Sequence, residues 1–277
     1  MIYDCFLFFN ELDLLECRLR ELENTPVMHV LAEAPLTFQG NPKPLYFAEN
    51  QERFAPWKDR ITHVILNDIQ GDTAWERESD QRRCLTRGLE DADPDDLILL
   101  GDVDEIPRAS VVRKNMGQLM VLEMQYRPFA VDWLHPLPWY GTVTSRVKYV
   151  TDLEELRNMR KILMRTGNAG WHFSFLGGPA AIKEKAAAFS HDDLSEKIAG
   201  WAGEGCLYQS GKCWTDDTEF SLNTQLLKAD TSDLPLWIRE RKCPHEWFRE
   251  LCGSYHGCGD RPRGEHGNAA FRHIPVL

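Results

Sequence analysis

The chain has 277 residues, of which 43% are hydrophobic and 27% charged, and its formal net charge at pH 7 is −11. This apolar content is enough to bury a sizeable core, so it excludes an intrinsically disordered chain. The negative charge argues against extended binding to nucleic acid, because a phosphate backbone requires a surface rich in lysine and arginine.

The N-terminal residues predict a first strand at Ile2–Phe9. The apolar run is interrupted by Asp4 and has neither the basic start nor the small-residue cleavage site of a signal peptide. No segment approaches the roughly 18 consecutive apolar residues that a spanning helix needs. We therefore expect a protein without a membrane span that works in the cytoplasm.

Strands and helices are predicted to alternate through the first hundred residues. Asn10 can cap a helix whose leucines recur at helical spacing, and a turn-rich loop covers Gln39–Pro44. This alternation favours a mostly parallel central sheet flanked by helices. Further strands are predicted at Val27–Ala34, Ile61–Leu66 and Leu97–Leu100, and a charged helix at Thr73–Leu89 with an ion pair between Glu78 and Arg82.

The pattern changes after Pro107. Strand candidates at Leu119–Tyr126 and Phe129–Trp133 predict an antiparallel extension of the sheet. We expect one α/β domain over residues 1–200 and a C-terminal extension, residues 201–277, packed on the same domain. A further strand is predicted at Gly170–Leu176, and helices at Pro179–Phe189 and Leu194–Ala202.

The C-terminal extension is rich in cysteine and histidine but contains no closely spaced cysteine pair. Scattered free thiols and a structural zinc site both remain open, and the missing pair favours the thiols.

The strongest chemical signal is an acidic pair directly after a buried strand. Asp102 and Asp104 follow the apolar run Leu97–Leu100, and side chains at positions i and i+2 of a strand point to the same side. Two adjacent carboxylates repel each other unless a cation or a proton lies between them. A Mn²⁺ or Mg²⁺ ion, completed by water and diphosphate oxygens, meets that requirement and would neutralise a departing nucleoside diphosphate.

Two other interpretations of the pair remain open. Aspartate, glutamate and proline are ordinary turn residues, so the pair could be a solvated surface turn. An aspartate-based phosphatase or phosphotransferase, with Asp102 as nucleophile, also uses an aspartate pair after an apolar strand. A further alternative for the function of the protein is a sugar-binding module without catalytic activity, which would not need the acidic pair.

Several segments, in order along the chain, form one set of motifs. The segments are Tyr3–Glu16, Glu33–Leu45, Trp75–Glu78, Gln81–Arg82, Gly101–Pro107 and Gly170–Phe175, with Lys185 and Phe189–Asp192. Together they resemble glycosyltransferase family 17. The resemblance implies a GT-A-like nucleotide-sugar-binding fold, a UDP-sugar donor, transfer of a sugar such as N-acetylglucosamine to an acceptor hydroxyl with inversion, and a metal-binding role for Asp102 and Asp104. The acceptor, carbohydrate or another hydroxyl compound, is not specified by these residues.

Four further residues are candidates for binding the donor, together with Asp102. Glu33 and Lys43 flank the first loop on the ligand side of the sheet, where a uridine or ribose would lie. Arg77 or Arg82 could reach a diphosphate, because a guanidinium matches phosphate oxygens. The alternative for Glu33 and Lys43 is the edge of a solvated loop. The alternative for the arginines is a surface ion pair between Glu78 and Arg82.

The candidate catalytic residues lie further along the chain. His172 is a catalytic candidate in a predicted strand, and the alternative is that it is a hydrogen-bonded histidine of the core. His191 could complete the metal site, and Asp193 is the candidate general base for the acceptor hydroxyl. Other candidates are Asp132, Asp217 and Glu219 for the base, and Trp133, Trp139 and Tyr140 for stacking on a sugar ring.

Overall fold

The computed structural model describes residues 1–114, 118–190, 212–213 and 224–248. The helices in these ranges are α1 Leu12–Glu21, α2 Tyr46–Glu49, α3 Ala74–Cys84, α4 Ala109–Lys114, α5 Leu153–Asn158, α6 Gly178–Ala188 and α7 Leu236–Arg239. The strands are β1 Ile2–Leu7, β2 Val27–Glu33, β3 Ile61–Ile65, β4 Leu97–Asp102, β5 Glu105–Pro107, β6 Met120–Tyr126, β7 Trp133–Leu134, β8 Trp139–Arg146, β9 Arg165–Thr166, β10 Gly170–His172, β11 Lys212–Cys213, β12 Thr224–Gln225 and β13 Leu227–Lys228.

Nine of the described strands form one sheet in the order β3-β2-β1-β4-β8-β6-β10-β5, with β9 paired to β6. The strands β3, β2, β1 and β4 are parallel, and Leu7 pairs with Asp102 in the register of β1 and β4. Because β1 and β4 run in the same direction, their carboxyl ends lie side by side. The predicted mostly parallel sheet with flanking helices is confirmed.

Strands β1, β2 and β4 of the parallel half are mostly apolar because helices cover both faces. On one face, Leu15 and Leu19 of α1 pack with Phe6 of β1. On the other face, Leu153 and Leu156 of α5 pack with alternate residues of β1 and β4. A strand buried on both sides requires a continuous apolar run, which explains why these strands were predictable.

The second half of the sheet is largely antiparallel, as the sequence predicted. Strand β8 pairs antiparallel with β4 and with β6. The prediction of a strand at Phe129–Trp133 was wrong, since only Trp133 of that segment lies in a strand. Phe129 has a φ of 70°, which is incompatible with extended backbone and places the segment in a loop.

Helix α3 begins with a capping box that the sequence contains in full. The Thr73 side chain accepts from the backbone amide of Glu76, and the Glu76 carboxylate accepts from the Thr73 amide. This reciprocal cap satisfies two free backbone donors and fixes the start of the helix. The helix continues as a 3₁₀ turn over Leu85–Gly88, so the predicted Thr73–Leu89 helix is confirmed in outline.

The described part of the C-terminal extension packs on the sheet domain. Trp237 of α7 and Trp247 belong to one apolar cluster with Leu14 of α1 and Trp171 of β10. Residues 226–248 therefore share a core with the first 190 residues. The boundary near residue 200 and the helix predicted at Leu194–Ala202 lie outside the described residues. So do three of the five cysteines of the extension, and Cys213 is described only through its backbone in β11.

Across the ranges that the structure describes, no helix combines the length and the apolarity needed to cross a bilayer.

Candidate functional site

A cleft of about 490 Å³ opens over the carboxyl ends of β1 and β4. Ligands of open α/β sheets bind at this edge, because loops there diverge from neighbouring strands. The cleft is lined by residues from the turn after β4, from the loop after β2, and from α3, α5 and α6. Both Asp102 and Asp104 are among them.

The turn that carries the acidic pair is fixed by a residue between it and the sheet, Glu105. Glu105 is fully buried, and its carboxylate accepts two hydrogen bonds from Arg157 of α5, at 2.6 and 3.0 Å. It also accepts from the Trp139 indole at 2.7 Å and from the backbone amide of Asp102 at 3.2 Å. Burial alone would raise the pKa of Glu105, but Arg157 dominates and holds that pKa at about 2.

Asp102 is held by the same arginine. One nitrogen of the Arg157 guanidinium donates to Oδ2 of Asp102 at 2.7 Å, while the side chain of Asp102 remains 37% exposed toward the cleft. Desolvation raises the pKa of Asp102, and Arg157 opposes that shift. The arginine therefore orients Asp102 through Oδ2, and the other oxygen, Oδ1, lies 3.7 Å from Arg82.

Two glycines allow Glu105 to lie this close to the sheet. A Cβ on Gly101 would lie 2.4 Å from Oγ1 of Thr142 and 2.8 Å from a carboxylate oxygen of Glu105, and a Cβ on Gly141 would lie 2.8 Å from the same carboxyl group. Real Cβ atoms do not approach other atoms this closely, so both positions require glycine. Gly101 of the acidic motif therefore serves the packing of Glu105.

Gly101→Ala is expected to lower the free energy of unfolding by about 1–3 kcal/mol, the usual cost of overpacking a core. The control is Gly167→Ala, because a Cβ at Gly167 meets only an ordinary contact at 3.7 Å. Urea denaturation of both variants measures the difference. A Gly101→Ala protein with the wild-type midpoint would show that the Glu105 site is loosely packed.

A second arginine holds the turn from beneath. Arg18 of α1 is fully buried and donates to the backbone carbonyls of Asp102 at 2.9 Å and Glu105 at 2.6 Å. Its other nitrogens form a two-pronged ion pair with Asp4 of β1, at 2.6 and 2.8 Å. The acidic turn is thus clamped between Arg18 on one side and Arg157 on the other.

Asp4 has its pKa held well below its usual range, because Arg18 and His29 outweigh the opposing effect of burial. A carboxylate whose pKa is lower in the folded state than in the unfolded state stabilises the protein at pH values above the unfolded-state pKa. This stabilisation is lost as the pH falls toward the folded-state pKa. We expect the free energy of unfolding to fall progressively below about pH 4, partly through Asp4.

Asp4→Asn tests this pH dependence. The variant is expected to be less stable than wild type at pH 7 and to lose less stability between about pH 5 and 2, because asparagine does not titrate. Urea denaturation at a series of pH values measures both curves. Parallel curves would mean that Asp4 makes no contribution to the acid dependence.

The negative charge of Asp104 is compensated by groups other than the arginine that holds Asp102. Its Oδ2 accepts from the ammonium of Lys185 on α6 at 2.8 Å, and its Oδ1 lies 3.5 Å from Nε2 of His172. Lys185 also contacts Oε1 of Glu11 at 3.1 Å. Burial raises the pKa of Asp104, but the Lys185 ammonium and His172 together hold it well below its usual range. The repulsion expected between the two aspartates is therefore offset by side chains.

His172 lies within a stack of aromatic rings at one end of the cleft. Its ring centroid is 4.4 Å from that of Trp139 and 5.1 Å from that of Tyr126, which is nearly parallel to it. All three residues line the cleft. Nδ1 of His172 is buried and has no hydrogen-bond partner among the described residues. An aromatic wall beside a carboxylate is suited to the apolar and polar faces of a sugar ring.

The backbone between β10 and α6 is strained beside this wall. Phe175 has a φ of 58°, although it is not glycine, and the following Gly177 has a φ of 98°. Phe175 lines the cleft, and the reversal brings α6 and Lys185 over the acidic turn. Strained backbone of this kind persists where the surrounding structure imposes it.

The candidate donor residues Glu33 and Lys43 lie at the end of β2 and in the loop that follows it. Glu33 is fully buried, accepts from the backbone amide of Phe47 at 3.0 Å and lies 3.7 Å from the Lys43 ammonium. Lys43 lines the cleft between the rings of Phe9 and Tyr46, at 5.6 and 5.4 Å. Glu33 thus organises the loop, whereas Lys43 reaches the cleft, where burial lowers its pKa.

The two candidate arginines of α3 have different surroundings. Arg82 lines the cleft, contacts Glu78 at 2.6 Å as the sequence predicted, and lies 3.7 Å from Oδ1 of Asp102. Arg77 lies outside the cleft lining and donates to the carbonyls of Phe38 at 2.6 Å and Gly71 at 3.1 Å. The structure brings Arg82 to the acidic pair and uses Arg77 to join two loops.

Of the remaining candidates, Trp139 lines the cleft, and the others lie away from it or outside the described residues. His191, Asp193, Asp217 and Glu219 belong to the undescribed part of the chain. Asp132 and Trp133 are buried, and neither lines the cleft. Tyr140 packs on Arg165 with the guanidinium 3.9 Å from its ring centre, whereas Trp139 faces the cleft. Sequence reasoning assigned no role to the residues that surround the pair, which are Glu11, Arg18, Glu105 and Arg157, or to Tyr126, which stacks on His172.

Two carboxylates in the cleft fit a divalent cation of a particular kind. Within the described ranges, no group of three or more histidine, cysteine, aspartate or glutamate residues is placed to enclose a metal. Magnesium-type sites commonly use one or two carboxylates, with water and substrate phosphates as the other ligands. The partly exposed carboxylate of Asp102 and the nearby carboxylate of Asp104 match this donor set, provided that the ligand contributes oxygens of its own.

The sequence model of glycosyltransferase family 17 matches residues 1–201 of this chain. Two similar proteins are the β-1,4-mannosyl-glycoprotein 4-β-N-acetylglucosaminyltransferases of Homo sapiens and Rattus norvegicus, each 25% identical over an alignment that covers 67% of this chain. The alignment covers 42% of each relative, so the chain spans about two fifths of their length.

Among solved structures, one similar chain is the inositol-1-phosphate CTP transferase from T. maritima, with 11% identity and a TM-score of 0.36. The match covers 74% of this chain and 96% of that chain. At this TM-score the likeness supports no conclusion about the present chain.

Proposed function

We propose that this chain, which belongs to glycosyltransferase family 17 and is therefore a glycosyltransferase, transfers N-acetylglucosamine from a UDP-sugar to an acceptor hydroxyl with inversion. The family supplies the reaction class, and the names of the two relatives suggest the sugar. The observation that carries the proposal is the cleft over β1 and β4, in which the turn that carries Asp102 and Asp104 is held by the buried arginines Arg18 and Arg157. We also propose a GT-A-like classification for the fold.

The donor diphosphate is proposed to bind next to the acidic pair with Mn²⁺ or Mg²⁺. Asp102 and Asp104 would hold the cation, and His191 is retained as a further proposed ligand. The cation would neutralise the charge that develops on the departing UDP. Arg82 lies 3.7 Å from Asp102 and is the described arginine of α3 that can orient the diphosphate from the cleft wall.

The nucleoside is proposed to lie over the loop after β2. Lys43 lines the cleft beside the rings of Phe9 and Tyr46, and aromatic rings with an adjacent ammonium suit a uracil base with its carbonyl oxygens. Glu33 would act by holding this loop in place through the Phe47 amide. Arg77 stays a proposed donor residue whose described contacts are to loop carbonyls.

The acceptor side is proposed to be the aromatic end of the cleft. Trp139 and His172, whose ring planes are 37° apart, offer aromatic rings for contact with a sugar ring, next to the carboxylate of Asp104. Inverting transfer requires a base that takes the proton of the attacking hydroxyl. Asp193 and His172 are the proposed candidates, and His172 has the advantage that its position in the cleft is described.

A donor screen tests the proposed function. The protein is incubated with a set of UDP-sugars and Mn²⁺, and the release of UDP is measured with and without EDTA. We expect UDP-N-acetylglucosamine to give the fastest release, even by slow hydrolysis, and EDTA to abolish it. Absence of UDP release with every donor, together with absence of UDP binding by calorimetry, would contradict the proposal.

The same experiment separates the two alternative functions. A metal-dependent phosphatase would release phosphate from p-nitrophenyl phosphate and form an aspartyl intermediate, whereas a sugar-binding module would bind sugars without releasing UDP. The ion pair between Asp102 and Arg157 disfavours the phosphatase, because it occupies one oxygen of the required nucleophile.

The cytoplasmic location expected from the N-terminal residues stays a prediction, which cell fractionation tests.

A further inference from the structure

The ammonium of Lys185 lies between two carboxylates of the cleft. Its distance is 2.8 Å to Oδ2 of Asp104 and 3.1 Å to Oε1 of Glu11. The side chain is 19% exposed and lines the cleft. A single cation shared by two acidic groups is the arrangement that a metal ion would otherwise supply at this position.

Helix α6 carries this lysine to the acidic turn from the opposite side of the cleft. The two glycines at its start, Gly177 and Gly178, have positive φ and turn the chain between β10 and the helix, which brings Lys185 to Asp104. Lys183, two residues earlier on the same helix, is exposed. The helix therefore offers two lysines, of which one reaches the cleft.

We propose that Lys185 takes the place of the divalent cation at Asp104 while the cleft is empty, and that it moves onto the donor diphosphate when metal and donor bind together. The proposal rests on the proposed function, because it requires that the acidic pair binds a metal. It makes Lys185 the residue that links metal binding to the presence of a donor.

Electrostatics gives the reason for this link. A metal at Oδ2 of Asp104 and an ammonium 2.8 Å from the same oxygen repel each other, so metal binding displaces Lys185. Without a donor, the displaced ammonium retains Glu11 as its described carboxylate partner and loses Asp104. With a donor, the diphosphate oxygens provide a new partner, since a lysine side chain is long and flexible. Metal and donor therefore strengthen each other's binding by the same factor.

The test is a titration of the protein with Mn²⁺ alone and in the presence of UDP, in which electron paramagnetic resonance measures the free Mn²⁺. We expect wild type to bind Mn²⁺ weakly alone and more tightly with UDP. Lys185→Met is expected to bind Mn²⁺ alone about tenfold more tightly than wild type, and to gain less from UDP, because the competing ammonium is absent. Lys183→Met is the matched control and is expected to behave as wild type.

The outcomes separate this inference from the function beneath it. If wild type binds Mn²⁺ with UDP but Lys185→Met binds Mn²⁺ alone no more tightly than Lys183→Met does, the inference is overturned and the proposed function stands. If wild type with UDP binds no Mn²⁺, the metal site itself fails. Circular dichroism checks the fold of each variant, and Lys185→Gln, expected to shift Mn²⁺ binding in the same direction, replaces Lys185→Met if the latter is unfolded.

Discussion

Asp104→Ala is expected to reduce sugar transfer by about 10³-fold or more. The substitution removes one of the two carboxylates proposed to hold the cation, and charge stabilisation at a leaving group accounts for several kcal/mol, at about 1.36 kcal/mol for each factor of ten. It also removes the contacts of Asp104 with Lys185 and His172. The rate of UDP release from UDP-N-acetylglucosamine with saturating Mn²⁺ measures the effect.

Stability provides the control for this variant. The predicted repulsion between unpaired carboxylates would leave the Asp104→Ala protein unchanged or slightly more stable. The structure reverses that expectation, because Asp104 is paired with Lys185, and we expect a loss of about 1–3 kcal/mol. Glu11 remains as a partner of the ammonium, which limits the loss.

A graded variant accompanies it. Asp102→Asn retains one oxygen that can bind a hard cation, although its amide nitrogen cannot accept from Arg157, so it should lose less activity than Asp104→Ala. If either variant folds and transfers sugar at a near wild-type rate with the same metal requirement, the acidic pair is not the metal site.

Arg18→Met is expected to have the largest effect on stability, a loss of about 3–5 kcal/mol in the free energy of unfolding. The substitution leaves Asp4 buried without its guanidinium partner and leaves the carbonyls of Asp102 and Glu105 without their donor. Chemical denaturation measures the loss.

The matched control is Arg20→Met on the same helix. Arg20 is partly exposed, and its ion pair with Glu16 is of the surface type, which contributes at most about 1 kcal/mol. An Arg18→Met protein as stable as Arg20→Met would show that the buried clamp does not determine the stability of the turn.

The parallel half of the fold was predictable because a strand that is buried on two faces requires a continuous run of apolar residues in the sequence. The run Leu97–Leu100 predicted β4, which continues to Asp102. The antiparallel half was predicted less well, since Phe129 adopts a positive φ that its residue type does not indicate. Short elements such as α5, with six residues, are too brief to show helical periodicity.

The acidic pair was predictable, whereas its surroundings were not. Adjacent carboxylates after an apolar strand indicate that a positive charge is required, but they do not identify its source. Arg157 lies 52 residues after Glu105, and Lys185 lies 81 residues after Asp104. Such contacts depend on the arrangement of α5 and α6 around the sheet, which no local pattern specifies. Arg18 was hidden for the same reason, since a charged residue in a helix usually faces solvent.

The most direct test of the account is the position of the metal in crystals grown with UDP and MnCl₂. We predict an anomalous Mn²⁺ peak between the carboxylates of Asp102 and Asp104, bridged to the diphosphate of a UDP molecule that lies in the cleft beside Lys43. A structure in which UDP lies elsewhere, or lies in the cleft with no metal at the two aspartates, would contradict the account.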